Sequence, residues 1–236
     1  MPKRLQVEID NLKERILSLG AEVENRVRMS VQSLQERDTA LAEEVITGDI
    51  DIDEMEVDLE EECLKILALH QPLAGDLRFI IAVLKINNEL ERIGDLAVNI
   101  AERSRVLVPH VPFEFPFDFA TMSEKTQEML RKSLDALVNT ESDTAYWVCN
   151  EDEVVDEINR EMYQILQRQV KEDPERISYL THLLGVSRHL ERMADHATNI
   201  AEDVIYLVQG EIVRHHANEY RMQPASSEQS TSTDSQ

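Results

Sequence analysis

One thirteen-residue segment occurs twice in the sequence, and this internal duplication constrains the fold more than any other feature. Residues 90–102 read LERIGDLAVNIAE, residues 190–202 read LERMADHATNIAE, and nine of the thirteen positions are identical. A second motif, D-x-x-x-D-E, begins at Asp49 and again at Asp152, an offset of 103 instead of 100. The chain is therefore expected to contain two structurally similar halves that differ by short insertions or deletions.

Apolar residues recur at helical spacing through both halves. The first segment has such a stripe at Leu5, Ile9, Leu12, Ile16, Leu19 and Val23, and a heptad stripe follows at Phe79, Val83, Ile86, Leu90, Ile93, Ala97 and Ile100. Aromatic residues make up only 5% of the chain, which suits helices packed on helices better than sheets. The sequence therefore predicts an all-α fold of two tandem, duplicated three-helix bundles.

Breaks in these stripes predict where the helices end. In the first half, we expect a helix to about Arg37, a short continuation that Asp38 can cap, a break at Gly48, and another at residues 70–72. In the second half, we expect helices at about 121–139 and 152–170, a short continuation through residues 146–147 between them, a break at residues 173–174, and a last helix to about Gly210.

The predicted halves are residues 1–107 and 120–219. Between them, residues 108–119 hold three prolines and four of the five phenylalanines, which predicts an extended linker. Its phenylalanines are expected to pack as anchors between the two bundles, with docking to a partner as the alternative. Residues 220–236 are Ser-rich and lack an apolar period, so they are predicted to be disordered.

The composition excludes some classes of function. The net charge is −23, which disfavours binding to nucleic acid or anionic lipid and favours cations or a basic partner, although such a surface also serves solubility alone. Cys63 and Cys149 lack CxxC spacing and are expected to be reduced core residues. No apolar stretch is long enough for a membrane span, so we expect a cytoplasmic protein that reaches the membrane only through partners.

Each copy of the duplicated segment places acids and an amide on one side of a helix. On a helical wheel these residues fall within about 80° of arc, on roughly the opposite side from the apolar seam. They are Glu91, Asp95, Asn99 and Glu102 in the first copy, and Glu191, Asp195, Asn199 and Glu202 in the second. The simplest interpretation is a solvated helix face, but like charges at i and i+4 repel, and both copies keep the same acids.

Carboxylates four residues apart lie on adjacent turns and can converge on one cation. If Asp49 and Asp53 pack beside Glu91 and Asp95, and Asp152 and Asp156 pack beside the second copy, each half collects four carboxylates. Oxygen-only ligands favour iron, manganese, magnesium or calcium over zinc, which remains an alternative. The sequence thus predicts metal sites at these residues.

No motif of nucleophilic catalysis or phosphate binding is found, so we do not expect an enzyme. A carboxylate-bridged metal enzyme or an iron-storage bundle is the alternative, but such proteins usually direct Glu-x-x-His motifs into the bundle. A third hypothesis is a helical scaffold whose acids only make it soluble.

The motif residues together resemble the PhoU family. They are Glu91-Arg-Ile-Gly-Asp95, the preceding Gln71-Pro-x-x-x-Asp-Leu-Arg78 segment and the four acidic motifs, within a resemblance that covers about residues 3 to 215. The second copy departs from the first in having Ala194 where the first has glycine, which should strengthen the helix by up to about 1 kcal/mol without changing the ligand set.

This resemblance implies a function and a set of partners. It implies multinuclear metal clusters, often iron, bound by the acidic motifs on the bundle surface. It also implies a negative regulator of the phosphate regulon and of phosphate uptake, which links the ATPase subunit of the phosphate ABC transporter to the phosphate-sensing histidine kinase. A homodimer is expected as well.

Overall fold

The computed structural model describes residues 3–108 and 115–210, and within these ranges the protein is helical, without strands. The helices are α1 (Lys3–Gln35), α2 (Thr39–Thr47), α3 (Asp49–His70), α4 (Gly75–Leu107), α5 (Phe119–Asn139), α6 (Ser142–Glu172) and α7 (Ile177–Gln209). A single 3-10 turn, Pro174–Arg176, precedes α7.

The helices form two tandem three-helix bundles, which confirms the predicted fold class. The first bundle consists of α1, of α2 and α3 in succession, and of α4, and the second consists of α5, α6 and α7. Both predicted apolar stripes, on α1 and on α4, are buried in the core. The bundles also pack on each other, α4 along α7 and α1 against α5, so the core is continuous between them.

The helix ends follow local sequence chemistry. The Asp38 carboxylate accepts hydrogen bonds from the backbone amides of Ala40 and Leu41, and so caps α2 as predicted. Helix α3 ends at His70 because Gln71 takes a left-handed conformation (φ 46°) in front of Pro72. Gly210 ends α7 in the same way, with φ 75°.

The predicted helix boundary inside the second bundle is wrong. Residues 146–147 and 152–170 do not belong to separate elements, because α6 runs without interruption from Ser142 to Glu172. The motif offset of 103 places Glu151 where the first bundle has Gly48. Glutamate is a good helix former and glycine is not, so only the first bundle breaks its middle helix.

Arg26 of α1 fixes the α2–α3 junction. Its guanidinium donates to the Glu44 carbonyl at 3.1 Å and to the Asp51 carboxylate at 3.2 Å, and only 9% of the residue is exposed. A Cβ at Gly48 would collide with this guanidinium. The absence of a side chain at residue 48 therefore lets α3 begin directly beside α1, with Asp49 as its first residue.

The end of the linker is aromatic and packed. The rings of Phe115 and Phe119 stack at 4.0 Å, and Phe117 packs edge-on against both. Phe117 and Phe119 are buried in the continuous core, as the anchoring hypothesis requires. Phe113 and the predicted disordered tail, residues 220–236, lie outside the described residues. Within the described parts, none of the helices has a stretch long and apolar enough to cross a membrane.

Candidate metal centres

Four predicted acids of the first bundle lie together where α3 packs on α4. Asp49 and Asp53 lie on successive turns of α3, opposite Glu91 and Asp95 of α4. Burial raises the pKa of Asp49, and the charges of Asp53 and Asp95 raise it further, whereas Arg26 opposes them. Since charges from both helices act on one carboxyl, the predicted pairing of the two motifs is present in the fold.

Burial and neighbouring negative charges also act on Glu91. Burial raises the pKa of Glu91, Asp95 adds to this, and the nearby Arg92 partly offsets both. Gly94, between Glu91 and Asp95, allows the helices to approach, because a Cβ there would lie 3.3 Å from the Cδ1 atom of Ile52 on α3. We call Asp49, Asp53, Glu91 and Asp95, together with Glu56, the first cluster.

Glu56 was missed by the sequence analysis. Burial raises the pKa of Glu56, as do the charges of Glu60 and Asp53, and Glu56 in turn raises the pKa of Glu91. The buried Asn87 of α4 donates to the Glu56 backbone carbonyl at 2.9 Å and to its carboxylate at 3.3 Å. The spacing from Asp53 to Glu56, nearly one helical turn, is the signal that could have revealed it.

The second cluster repeats this arrangement between α6 and α7 with Asp152, Asp156, Glu191 and Asp195. Burial raises the pKa of Glu191, and Asp156 and Asp152 raise it further against the opposing charges of Arg188 and Arg192. Burial, Glu191 and Asp156 together raise the pKa of Asp195 to about 6. The position of Glu56 is held here by Asn159, which accepts a hydrogen bond from Ser187 at 3.0 Å. The second cluster therefore contains one carboxylate fewer.

Of the remaining predicted ligands, the two asparagines form other hydrogen bonds. Asn99 donates to the backbone carbonyl of Asp95, at 2.7 Å in its own helix. Asn199 donates across the bundle interface to Glu89 of α4, at 3.0 Å. Glu102 and Glu202 are further along their helices, and neither is among the charges that raise the pKa of a clustered acid.

Glu89 links the two bundles beside these clusters. The His196 Nδ1 atom lies 2.7 Å from its carboxylate. Burial alone would raise the pKa of Glu89, but the hydrogen bonds from His196 and Asn199 outweigh it and lower the pKa. Asn199 is thus used in packing α4 against α7 in this structure, a role that the helical wheel did not predict.

The donor set of both clusters suits hard cations. Every clustered acid offers carboxylate oxygen, and acids that raise one another's pKa form a local excess of negative charge that a cation would relieve. As the side chains stand in residues 3–108 and 115–210, no three His, Cys, Asp or Glu groups converge closely enough to hold a metal ion. The fold thus places the acids in one electrostatic neighbourhood without bringing them to ligand distance.

Fold and clusters together define a class of protein. It is a duplicated helical protein in which each three-helix bundle exposes an acidic cluster, between α3 and α4 in the first bundle and between α6 and α7 in the second. The PhoU domain model matches the chain twice, at residues 16–104 and 119–204. The chain belongs to the PhoU family.

Relatives of known name and structure agree with this assignment. The chain is 41% identical over 212 residues to the phosphate-specific transport system accessory protein PhoU homolog of Aquifex aeolicus, covering 90% of this chain and 96% of that protein. The crystal structure of PhoU from Pseudomonas aeruginosa superposes with a TM-score of 0.83 at 37% identity, covering 87% of this chain and 99% of the other. PhoU from Streptococcus pneumoniae gives a TM-score of 0.78 at 28% identity, with 89% and 99% covered.

Proposed function

We propose that this protein is a cytoplasmic accessory protein of phosphate transport that acts as a negative regulator of phosphate uptake and of the phosphate regulon. The observation that carries the proposal is the double match to the PhoU domain, together with relatives named as accessory proteins of the phosphate-specific transport system. Regulation through contact with other proteins fits a chain that displays charged helix faces and has no motif of an enzyme.

The proposed partners are the ATPase subunit of the phosphate ABC transporter and the phosphate-sensing histidine kinase. A net charge of −23 favours docking to a basic surface, because opposite fields steer association and disfavour partners of the same sign. Binding to both partners would couple transport to signalling.

The two acidic clusters are proposed to bind metal ions, with multinuclear iron as the first choice. Asp49, Asp53, Glu56, Glu91 and Asp95 would hold the metal in the first bundle. In the second bundle the ligands would be Asp152, Asp156, Glu191 and Asp195. Bound cations would neutralise repulsion between acids on neighbouring helices, and so would brace α3 against α4 and α6 against α7.

Deletion and complementation test the regulatory role. Cells that lack the protein should express alkaline phosphatase and phosphate-uptake genes in phosphate-replete medium, and the wild-type gene should restore repression. When the tagged protein is purified from cells grown in the same medium, the transporter ATPase or the histidine kinase should co-purify with it. Normal repression in the deletion strain would contradict the proposal.

A complementation control separates metal binding from regulation. Glu91→Gln with Asp95→Asn removes two charges from the first cluster, whereas Glu102→Gln removes an exposed charge outside it. If metal is needed for regulation, the double variant should fail to repress and Glu102→Gln should repress normally. If both repress normally, regulation does not depend on the first cluster.

A further inference from the structure

Helices α4 and α7 are the equivalent helices of the two bundles, and they pack along each other in a contact that we call the seam. Residues of α4 correspond to the residues of α7 that are 100 positions later in the sequence. At one end of this packing seam, the Lys85 amine lies 2.8 Å from the Asp203 carboxylate. Adding 100 to residue 85 and subtracting 100 from residue 203 gives Gly185 and Arg103. These two residues are also in contact, since a Cβ at Gly185 would lie 2.3 Å from the Arg103 Cζ atom. The two ends of the seam are therefore structurally equivalent.

Charge is balanced at the Lys85 end. Asp203 is only 3% exposed, and Lys85 supplies its cation while also lying 5.4 Å from the centre of the Tyr206 ring. A carboxylate this deeply buried requires such a partner, because an ionised group in a low-dielectric environment is costly without one.

Charge is not balanced at the opposite end. Arg103 occupies the position that corresponds to Asp203, and Gly185 occupies the position that corresponds to Lys85. This end therefore has a cation in the carboxylate position and no side chain in the cation position. Among the described residues no acid lies within ion-pair distance of Arg103, and its Nε atom is closed to solvent without a hydrogen-bond partner. A guanidinium that is partly desolvated and unpaired is unusual, since arginine is rarely buried without a counter-charge.

His189, one turn after Gly185 on α7, adds to this imbalance. Both of its ring nitrogens are buried and lack hydrogen-bond partners. The positive charges of Arg103, Arg188 and Arg192 act on this ring. An imidazole has at least one N–H, so His189 adds a buried donor beside these three guanidinium groups.

We propose that this end of the seam binds a small oxyanion of the phosphate type, which supplies the negative charge that Arg103 lacks, as Asp203 supplies it to Lys85 at the other end. The Arg103 guanidinium supplies a planar fork of donors that matches phosphate oxygens. The exposed Arg188 and Arg192 add positive charge at the rim, and His189 adds an imidazole N–H. This site adjoins the second cluster, because Arg188 and Arg192 also act on Glu191, but none of its proposed donors is a carboxylate and it does not require bound metal.

The absence of a side chain at residue 185 fits the proposal. Arg103 lies across the backbone of α7 in the space that a side chain would fill. Gly185→Ala would displace the guanidinium, so this variant should weaken anion binding as well.

Calorimetric titration of the full-length, EDTA-treated protein tests the site, because chelation removes phosphate binding through metal ions. Orthophosphate is titrated at constant ionic strength, and ATP without divalent metal is titrated in parallel. We expect saturable binding of one anion per chain, weakened at least about tenfold by Arg103→Gln. Arg105→Gln is the matched control, since Arg105 is on the same helix but is exposed and paired with Glu43.

The comparison of ligands identifies the source of the phosphate group. Tighter binding of ATP than of orthophosphate, with the same dependence on Arg103, indicates a nucleotide, and binding of orthophosphate alone indicates the free ion. Absence of saturable binding by either ligand, or equal weakening by Arg103→Gln and Arg105→Gln, overturns the proposal.

A second variant guards against misfolding of Arg103→Gln, which circular dichroism would reveal. Arg188→Gln combined with Arg192→Gln changes only exposed residues and should weaken binding at least about threefold through the loss of rim charge. If this folded double variant binds the anion with the same affinity as the wild type, the proposed site is also contradicted.

Discussion

At the scale of single residues, the clustered acids differ from ordinary surface acids because their neighbours carry the same charge. The pKa of Asp195 is about 6 in the folded protein, against an ordinary value of 3.8. The folded state thus binds a proton more tightly than the unfolded state does. The contribution of Asp195 to the free energy of unfolding is fully present below about pH 4. It is lost as the pH rises through about 6, where this carboxyl ionises beside Glu191 and Asp156.

The first prediction follows from this linkage. In EDTA, Asp195→Asn should raise the free energy of unfolding at pH 7.5, by no more than about 1 kcal/mol because solvent screens a surface carboxylate. At pH 4 the gain should vanish. Urea denaturation at both pH values measures the effect, with Glu102→Gln as an exposed control that leaves stability unchanged. A loss of stability of equal size at both pH values would show that the charge of Asp195 is not the cause.

The sequence predicted part of each cluster at this scale. Motif spacing predicted that Asp49 and Asp53 share one helix face and that Glu91 and Asp95 share another. That these two faces meet follows from the packing of α3 on α4. Glu56 was missed because it lies outside the duplicated motif and is replaced by Asn159 in the second bundle. The contact of Asn199 with Glu89 joins the two bundles, and a helical wheel of one helix contains no information on such contacts.

At the scale of helices, Gly48 decides whether the second layer of a bundle is one helix or two. The first bundle has Gly48 and breaks there, whereas the second has Glu151 and continues as α6. The sequence predicted the break at Gly48 but also predicted an interruption before Asp152. That second interruption was inferred from the analogy between the copies, although the residue that causes it in the first copy is not repeated.

The second prediction concerns this junction. Gly48→Ala should lower the free energy of unfolding by about 1–2 kcal/mol, because the new methyl group displaces Arg26 from the Glu44 carbonyl and from Asp51. Gly75→Ala is the matched control, since a Cβ there has nothing within 4 Å, and it should be neutral or slightly stabilising. Equal effects of the two variants in chemical denaturation would rule out the role given to Arg26.

At the scale of the whole molecule, the two bundles share one core and are also joined by polar contacts. Lys85 with Asp203, and Glu89 with His196 and Asn199, bridge α4 and α7. The sequence predicted two similar halves correctly from their duplication. Their packing against each other could not be predicted, because it depends on residues such as Lys85 and Asp203 that are not repeated in kind.

The third prediction tests this bridge. Lys85→Met should lower the free energy of unfolding by about 2 kcal/mol, because it deprives the buried Asp203 of its cation, and Lys85 is itself only about one-third exposed. Arg105→Met, which breaks the exposed pair with Glu43, should cost less than about 0.5 kcal/mol. Denaturant unfolding should remain a single transition for both variants, since one core spans the bundles. Separate transitions for the two halves would contradict this coupling.

The central proposal is that both carboxylate clusters, one in each bundle, bind metal ions. The most direct measurement is the metal content of protein purified without chelators, by plasma mass spectrometry. Four proteins are compared: the wild type, Glu91→Gln with Asp95→Asn, Glu191→Gln with Asp195→Asn, and Glu102→Gln. We predict that the wild type carries metal, that each double variant loses the share of its own cluster, and that Glu102→Gln retains all of it. Equal metal content in all four proteins, or negligible metal in the wild type, would contradict the claim.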